Sequence, residues 1–522
     1  MGNKKVVLSS MKMVAATMIS RILGLLREQV MAFSFGASSL TDAFLVAYRI
    51  PNLLRDLFAE GAFSAAFVPS FIKVNKKDPK EAQKFLWSLF LVLSLITLIV
   101  TGLFIYFAPE IISLFAPSFK EDPKKFELTV LLTRIMSPFL FFVSIAALFM
   151  GALNSLKVFF IPSLAPAFFN IVMVLSIIFL PAWFIKIGIH PVLSLGVGVF
   201  IGGIVQAMVQ FPLIVKKGFA PKVPDKVMNS EVKVVFKKLG PGLLGFAATQ
   251  INLIVTTILA TGTIVGAVSW LSYAFRLFQL PVGILGVSIG NSNLVHFGEL
   301  WSDSKKEEAN DLLLSSIFLS FVVMTPAFIV LYLLSDNLVN LIFQRGAFSL
   351  TSTVMTAKVL RWYALGLPFY GIYKILVPVF YAIDKQKIPV FVSITTVMIN
   401  LIICVILTPI YGFEVLAVGT SFSIFLNCFI QFIFIKKNLG FSFKRVLNLR
   451  YIKIILSALI TFFICRYAFK YINFFDSSFI LKCFWITLQM SAIAIIFGGL
   501  VFAFGERRVI YAIIRKFTKK RI

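Results

Sequence analysis

The sequence predicts an all-α polytopic membrane protein of about 14 transmembrane helices, built as two pseudo-symmetric six-helix lobes plus two C-terminal helices. Three observations point there. First, 59% of the 522 residues are hydrophobic, 59 are phenylalanine, and mean hydropathy is +0.95, a composition foreign to soluble domains of this length. Second, apolar runs of about 20 residues or more recur along the whole chain, each able to cross about 30 Å of hydrocarbon as a helix. Third, landmarks in the first half return in the second at a nearly fixed spacing.

The expected spans cover residues 6–34, 40–72, 85–109, 126–154, 158–184, 190–215, 239–262, 265–294, 312–334, 350–383, 387–411, 413–435, 451–472 and 479–504. The first is too long for a signal-peptide core and is expected to stay in the mature chain. Gly2 is not a myristoylation start, because Val6 stands where Ser or Thr is needed. Cys404, Cys428, Cys465 and Cys483 lie singly in or at the ends of apolar spans, without ligand spacing, and are read as small core residues.

A net charge of +28 could suggest nucleic acid, but the basic residues gather in alternate connections, which is a topology signal. Residues 73–84 hold five lysines against two acids, 216–238 seven against two, and 436–453 six basic residues and no acid. The tail from Glu506 holds seven basic residues against one acid. With an even number of spans, all fall on the side of the N-terminus, so both termini are expected in the cytoplasm. The acidic connection Trp301–Asp311 does not follow this rule. The basic tail suits either an interfacial amphipathic helix on anionic lipid or a solvated end.

The repeat sets the domain plan. Pro138 and Phe139 return as Pro368 and Phe369, Ala152 as Ala382, Lys157 as Lys387, and Asn170 as Asn400. Ala47, Tyr48, Arg49 and Ile50 are echoed by Ala274, Phe275, Arg276 and Leu277, and both sixth spans end on paired lysines, Lys216–Lys217 and Lys436–Lys437. The expected divisions are 1–225 for the first lobe, 226–445 for the second, 446–505 for the last two helices, and 506–522 for the tail. Six spans per repeat give both copies the same orientation, the plan of transporters whose lobes rock around a central site.

Ionisable residues inside the spans mark the chemistry, since a charge at the bilayer centre costs at least a few kcal/mol and needs water or a counter-charge. The first lobe carries Arg21, Arg27, Glu28, Asp42, Arg49, Arg55, Asp56 and Glu60; the second carries Arg276, Lys358, Arg361 and Lys374. Positive charge predominates, which suits a phosphate or diphosphate, because arginine presents paired donors in a fixed fork. On an ideal helix Arg27 lies about 120° from Arg21, so their convergence needs long side chains or a bend near Gly24. Arg49 could instead pair with Asp56 or Glu60, and Lys374 could snorkel to a helix end. Lys358 and Arg361 are placed near the outer interface, and His190 and His296 at the surface. No cluster of carboxylates or histidines suits a membrane enzyme.

Two stretches resemble the MurJ (MviN) lipid II flippases. Ser20 to Arg27, reading Ser-Arg-Ile-Leu-Gly-Leu-Leu-Arg, is similar to that family's first helix. Thr41–Phe44 through Pro51–Arg55 and Phe58–Phe63 is similar to its second. Further similarity covers Ala274–Leu277 with Pro281, Gly283 and Gly286, and Lys374, Pro378, Phe380, Tyr381 and Ala382. The resemblance implies a fold of the MOP exporter superfamily. It also implies translocation of the undecaprenyl-diphosphate-linked peptidoglycan precursor, lipid II, from inner to outer leaflet of the bacterial cytoplasmic membrane by alternating access.

By the matching motifs, Arg21, Arg27, Arg55 and Arg276 are implied to bind substrate, and Asp42 to be functionally important. Glu60 and Lys374 join Asp42 as expected gating or coupling residues; with few carboxylates in the second lobe, Asp42, Asp56 and Glu60 are the candidates for any coupling to protons or sodium. A groove formed by spans 13 and 14 is implied for the lipid tail. No cofactor, metal or nucleic acid is expected; expected partners are lipid II, membrane lipids and the cell-wall synthesis machinery. Asp56, Phe275, Gln279 and Asn293–His296 depart from the family pattern. An exporter of another polyprenyl-linked oligosaccharide or of drugs would share the lobes but not the second-span motif.

Overall fold

The computed structural model describes residues 2–59, 62–283, 296–439 and 449–507, with side chains described outside 2–12, 14, 54, 56–59, 62, 64–65 and 240–249. Among these residues there is no strand. The chain forms two compact units, residues 1–269 with 345–348, and residues 270–344 with 349–522.

The first unit contains α1 (Gly2–Phe35), α2 (Ser39–Ala59), α3 (Ala62–Lys77), α4 (Pro79–Tyr106), α5 (Ala108–Phe115), α6 (Pro123–Met136), α7 (Phe139–Ser155), α8 (Phe160–Lys186), α9 (Leu193–Met208), α10 (Phe211–Lys216) and α11 (Ser230–Thr261). Helix starts follow local chemistry: Asp78 caps α4 by accepting from the Lys80 amide, and Asn229 caps α11 by accepting from the Val232 amide. The core is aromatic, with Phe63, Phe67, Phe71 and Phe85 in mutual ring contact. Small residues on α9 let its neighbours close in, since a Cβ at Gly202 would stand 2.7 Å from the Phe169 ring and one at Gly203 2.7 Å from the Phe139 ring. Helix α11 packs on α2 and α3 in this unit.

The second unit holds α12 (Ala267–Pro281) from Trp270 onward, α13 (Lys306–Leu333), α14 (Ser335–Phe343), α15 (Leu350–Leu365), α16 (Leu367–Ala382), α17 (Lys387–Tyr411), α18 (Glu414–Leu439), α19 (Leu449–Phe469) and α20 (Phe479–Ala503). Helix α13 contacts α16, α19 and α20, so the last two helices attach through it.

The repeated proline marks a break in both units. Ser137 and Pro138 separate α6 from α7, and Gly366 with Pro368 separates α15 from α16, which are bent by 45°. Proline removes an amide donor and clashes with the preceding turn.

Among the described residues nine helices are long and apolar enough to cross a membrane, or ten if α15 and α16 form one bent span. The expected 14 is not reached on length and apolarity. The other expected spans are the first, second, seventh and eighth, where charges interrupt the run or residues lie outside those described. Cys404, Cys428 and Cys465 are buried, while Cys483 is half-buried; all four are free thiols.

Candidate functional site

In the first unit, Asp42 stands at the start of α2 and is 2% exposed. Its Oδ2 accepts from the Gly266 amide at 2.6 Å, and its Oδ1 accepts from the Ser269 amide at 3.0 Å and hydroxyl at 2.6 Å. Lys125 Nζ lies 3.9 Å from the same carboxylate. Four orphan amides begin any helix, and the residue before α12 is Gly266, which has no side chain to cap them. Asp42 supplies the missing acceptor from another helix.

Arg55 and Tyr48 both lie within electrostatic reach of Arg27. Arg27 is largely buried, pairs with Glu28 at 2.5 Å and lies 5.8 Å from the Phe169 ring centroid. Arg55 is half-buried on α2. Arg21 is exposed on α1, on a different side from Arg27, as six residues of helix require. Beside it Asn170 Nδ2 donates to the Ser20 carbonyl. Like charges held together in a low-dielectric unit favour an incoming anion.

Asp42 and Arg55 share α2 but stand 13 residues apart, about 20 Å along the axis, so the carboxylate and the arginine pair are separate places. Arg49, between them, donates to the Thr257 hydroxyl on α11. Glu60 lies outside the described residues, as does the Asp56 side chain.

In the second unit Arg276 is half-buried on α12. Lys374 on α16 sets its ammonium 5.5 Å from the Tyr370 ring centroid and 6.0 Å from that of Tyr373, contacts that hold a partly desolvated cation. Arg361 pairs with Asp336, and Lys358 lies 3.7 Å from Glu414. His190 and His296 are exposed. Among the described residues no group of three or more His, Cys, Asp or Glu could hold a metal.

The same unit carries an apolar cavity of about 500 Å³ lined by α13, α15, α16 and α19, including Phe321, Phe328, Tyr332, Phe369, Ile455 and Phe462. Of the last two helices, α19 lines this cavity and α20 does not.

Sequence reasoning missed the partners of Asp42 and Arg27. Glycine at the cap position of α12 was the available signal for the first; Phe169, beside the repeat residue Asn170, had none.

The family model described as "Lipid II flippase MurJ" matches residues 31–489. The chain is 34% identical over 424 residues to a probable lipid II flippase MurJ of Buchnera aphidicola subsp. Acyrthosiphon pisum, covering 81% of each chain. It is 30% identical over 487 residues to the Rickettsia prowazekii counterpart, covering 93% of this chain and 94% of that one. Among solved structures, a lipid II flippase MurJ in an inward closed conformation superposes with a TM-score of 0.79 at 28% identity, over 95% of this chain and 99% of that one. An inward-facing MATE transporter of the MOP superfamily, at 13% identity and TM-score 0.65 over 82% of this chain and 98% of that one, shares the fold. The family model covers most of both units, including Arg55 on α2 and Arg276 on α12, and the chain belongs to the lipid II flippase MurJ family.

Proposed function

We propose that this chain flips lipid II, the undecaprenyl-diphosphate-linked peptidoglycan precursor, from the inner to the outer leaflet by alternating access, without covalent chemistry. The observation that carries the reading is a pair of arginines, Arg27 on α1 and Arg55 on α2, within electrostatic reach of one another, a local excess of fork-shaped cationic donors that suits a diphosphate. Arg21, Arg27 and Arg55 with Arg276 of the second repeat bind the diphosphate. Asp42 acts as a gate through its hold on residues 266–269, and Glu60 and Lys374 serve gating or coupling. The prenyl tail follows the apolar cavity beside α19. Both termini are cytoplasmic, the rocking lobes are 1–225 and 226–445, and the cell-wall synthesis machinery receives the product.

A lipid II flipping or complementation assay tests this with Arg21→Ala, Arg27→Ala, Arg55→Ala and Arg276→Ala, each checked for expression. Strong loss is expected in each, and Arg→Lys versions should also be impaired, because lysine lacks the bidentate fork. Normal activity in all four alanine variants would refute the assignment. Accumulation of lipid II in the inner leaflet on depletion separates this reading from a drug exporter of the same fold.

A further inference from the structure

We infer that the lysine-rich end of the first unit binds an anionic phospholipid of the surrounding membrane, with an acyl chain in an aromatic groove between α4, α7 and α10 and its phosphate on Lys216, Lys217 and Lys222. The groove holds about 300 Å³ and is lined by Trp87, Phe90, Phe142, Ile145, Phe149 and Phe211. Its rings brace one another: the centroids of Trp87 and Phe90 are 5.0 Å apart, and Phe149 lies 6.1 Å from Phe211. From Phe142 to Phe149 it follows α7 for about 10 Å, along the direction an acyl chain takes in a bilayer. Met208, also on its wall, is 47% exposed, so the groove opens to the outside of the unit. A well-packed interior rarely leaves such a void, and in hydrocarbon a lipid chain fills it.

The polar end is fixed. The segment after α10 is strapped to α4, where Gln83 Nε2 donates to the Ala220 carbonyl at 2.7 Å, Trp87 Nε1 to the Phe219 carbonyl at 3.1 Å, and the Ser88 hydroxyl to the Lys226 carbonyl at 3.2 Å. Pro221 of that strap lines the groove, and Lys222 follows it. Lys216 is five residues beyond Phe211, about 8 Å along the helix. Lys216, Lys217 and Lys222 are exposed; Asp225 lies within electrostatic reach of Lys222, but its carboxylate is paired with Lys84 at 2.7 Å. Each lysine near an anionic surface adds to its attraction, so three together favour an anionic over a zwitterionic headgroup by at least about tenfold.

The test uses the full chain in phosphatidylcholine vesicles, with either phosphatidylglycerol or phosphatidylcholine brominated on its acyl chain, and reads quenching of Trp87 as the difference between wild type and Trp87→Phe. Brominated phosphatidylglycerol is expected to quench at about a tenfold lower mole fraction than brominated phosphatidylcholine. The triple variant Lys216→Gln, Lys217→Gln, Lys222→Gln should remove that preference, and Ala207→Leu, which narrows the groove, should weaken quenching by both. Equal quenching by the two lipids in wild type, or a preference kept in the triple variant, overturns the inference. Loss of quenching with added inorganic phosphate would assign the lysines to a free anion, and displacement by stoichiometric undecaprenyl diphosphate would give the groove to the substrate; either also overturns it. Should Ala207→Leu fail to fold, the lysine variant decides. The readout is independent of lipid II flipping.

Discussion

The Asp42 carboxylate caps α12 from another helix, its Oδ1 accepting from both the amide and the hydroxyl of Ser269, 227 residues downstream. Together with the Gly266 amide, three donors converge on one buried side chain. Each buried donor left without a partner costs about 1–3 kcal/mol. Asp42→Ala should therefore speed hydrogen exchange at the Gly266 and Ser269 amides by at least about tenfold, with Asp42→Asn intermediate because one oxygen remains. Unchanged protection in Asp42→Ala would rule out the capping role.

Arg27 pairs with Glu28 and is proposed to hold the diphosphate, so a single deletion confounds the two. Arg27→Met removes the Arg27–Glu28 ion pair from a buried carboxylate, a loss of about 3–5 kcal/mol for a fully buried pair. The double variant Arg27→Met, Glu28→Gln is expected to recover most of the thermal stability and none of the lipid II flipping. Recovery of both would reduce Arg27 to a structural partner of Glu28.

The helical, membrane-spanning class was legible in the sequence because hydropathy is a local property. What stayed hidden depends on residues far apart in the chain. Glu28 is next to Arg27 and could be read as its partner; Ser269 could not be read as the partner of Asp42, nor Thr257 as that of Arg49. The groove at α4, α7 and α10 was equally invisible, since Trp87, Phe149 and Phe211 each look like ordinary core residues until the strap after α10 is placed above them.

Gly36 and Gly346 flank a contact in which the Ala347 amide donates to the Phe33 carbonyl at 2.8 Å. Both have positive φ, +66° and +57°, and a Cβ on Gly36 would strike the Ala347 carbonyl while one on Gly346 would strike that of Phe33. An alanine pays about 1–2 kcal/mol for the left-handed backbone alone. Gly36→Ala and Gly346→Ala should each lower the unfolding temperature in detergent, and the double variant should fall short of the sum because both break the same contact. Additive losses would show two independent sites.

Lys84 holds Asp225 at 2.7 Å and, by hydrogen bonding first and charge second, keeps that carboxyl below the usual carboxylate range. A carboxyl depressed in the folded strap contributes fully above its unfolded value and fades as pH falls through its lower folded value. The contribution is small, because the pair is solvated and screened by salt. A spin label at Val223, which is 86% exposed, should gain mobility as acid is added, and the same gain should follow high salt at neutral pH. Asp225→Asn should show the mobile spectrum at every pH, while the three hydrogen bonds from Gln83, Trp87 and Ser88 keep the strap attached. A wild-type spectrum insensitive to both acid and salt would mean that those neutral bonds alone fix the strap and that the ion pair adds nothing to it.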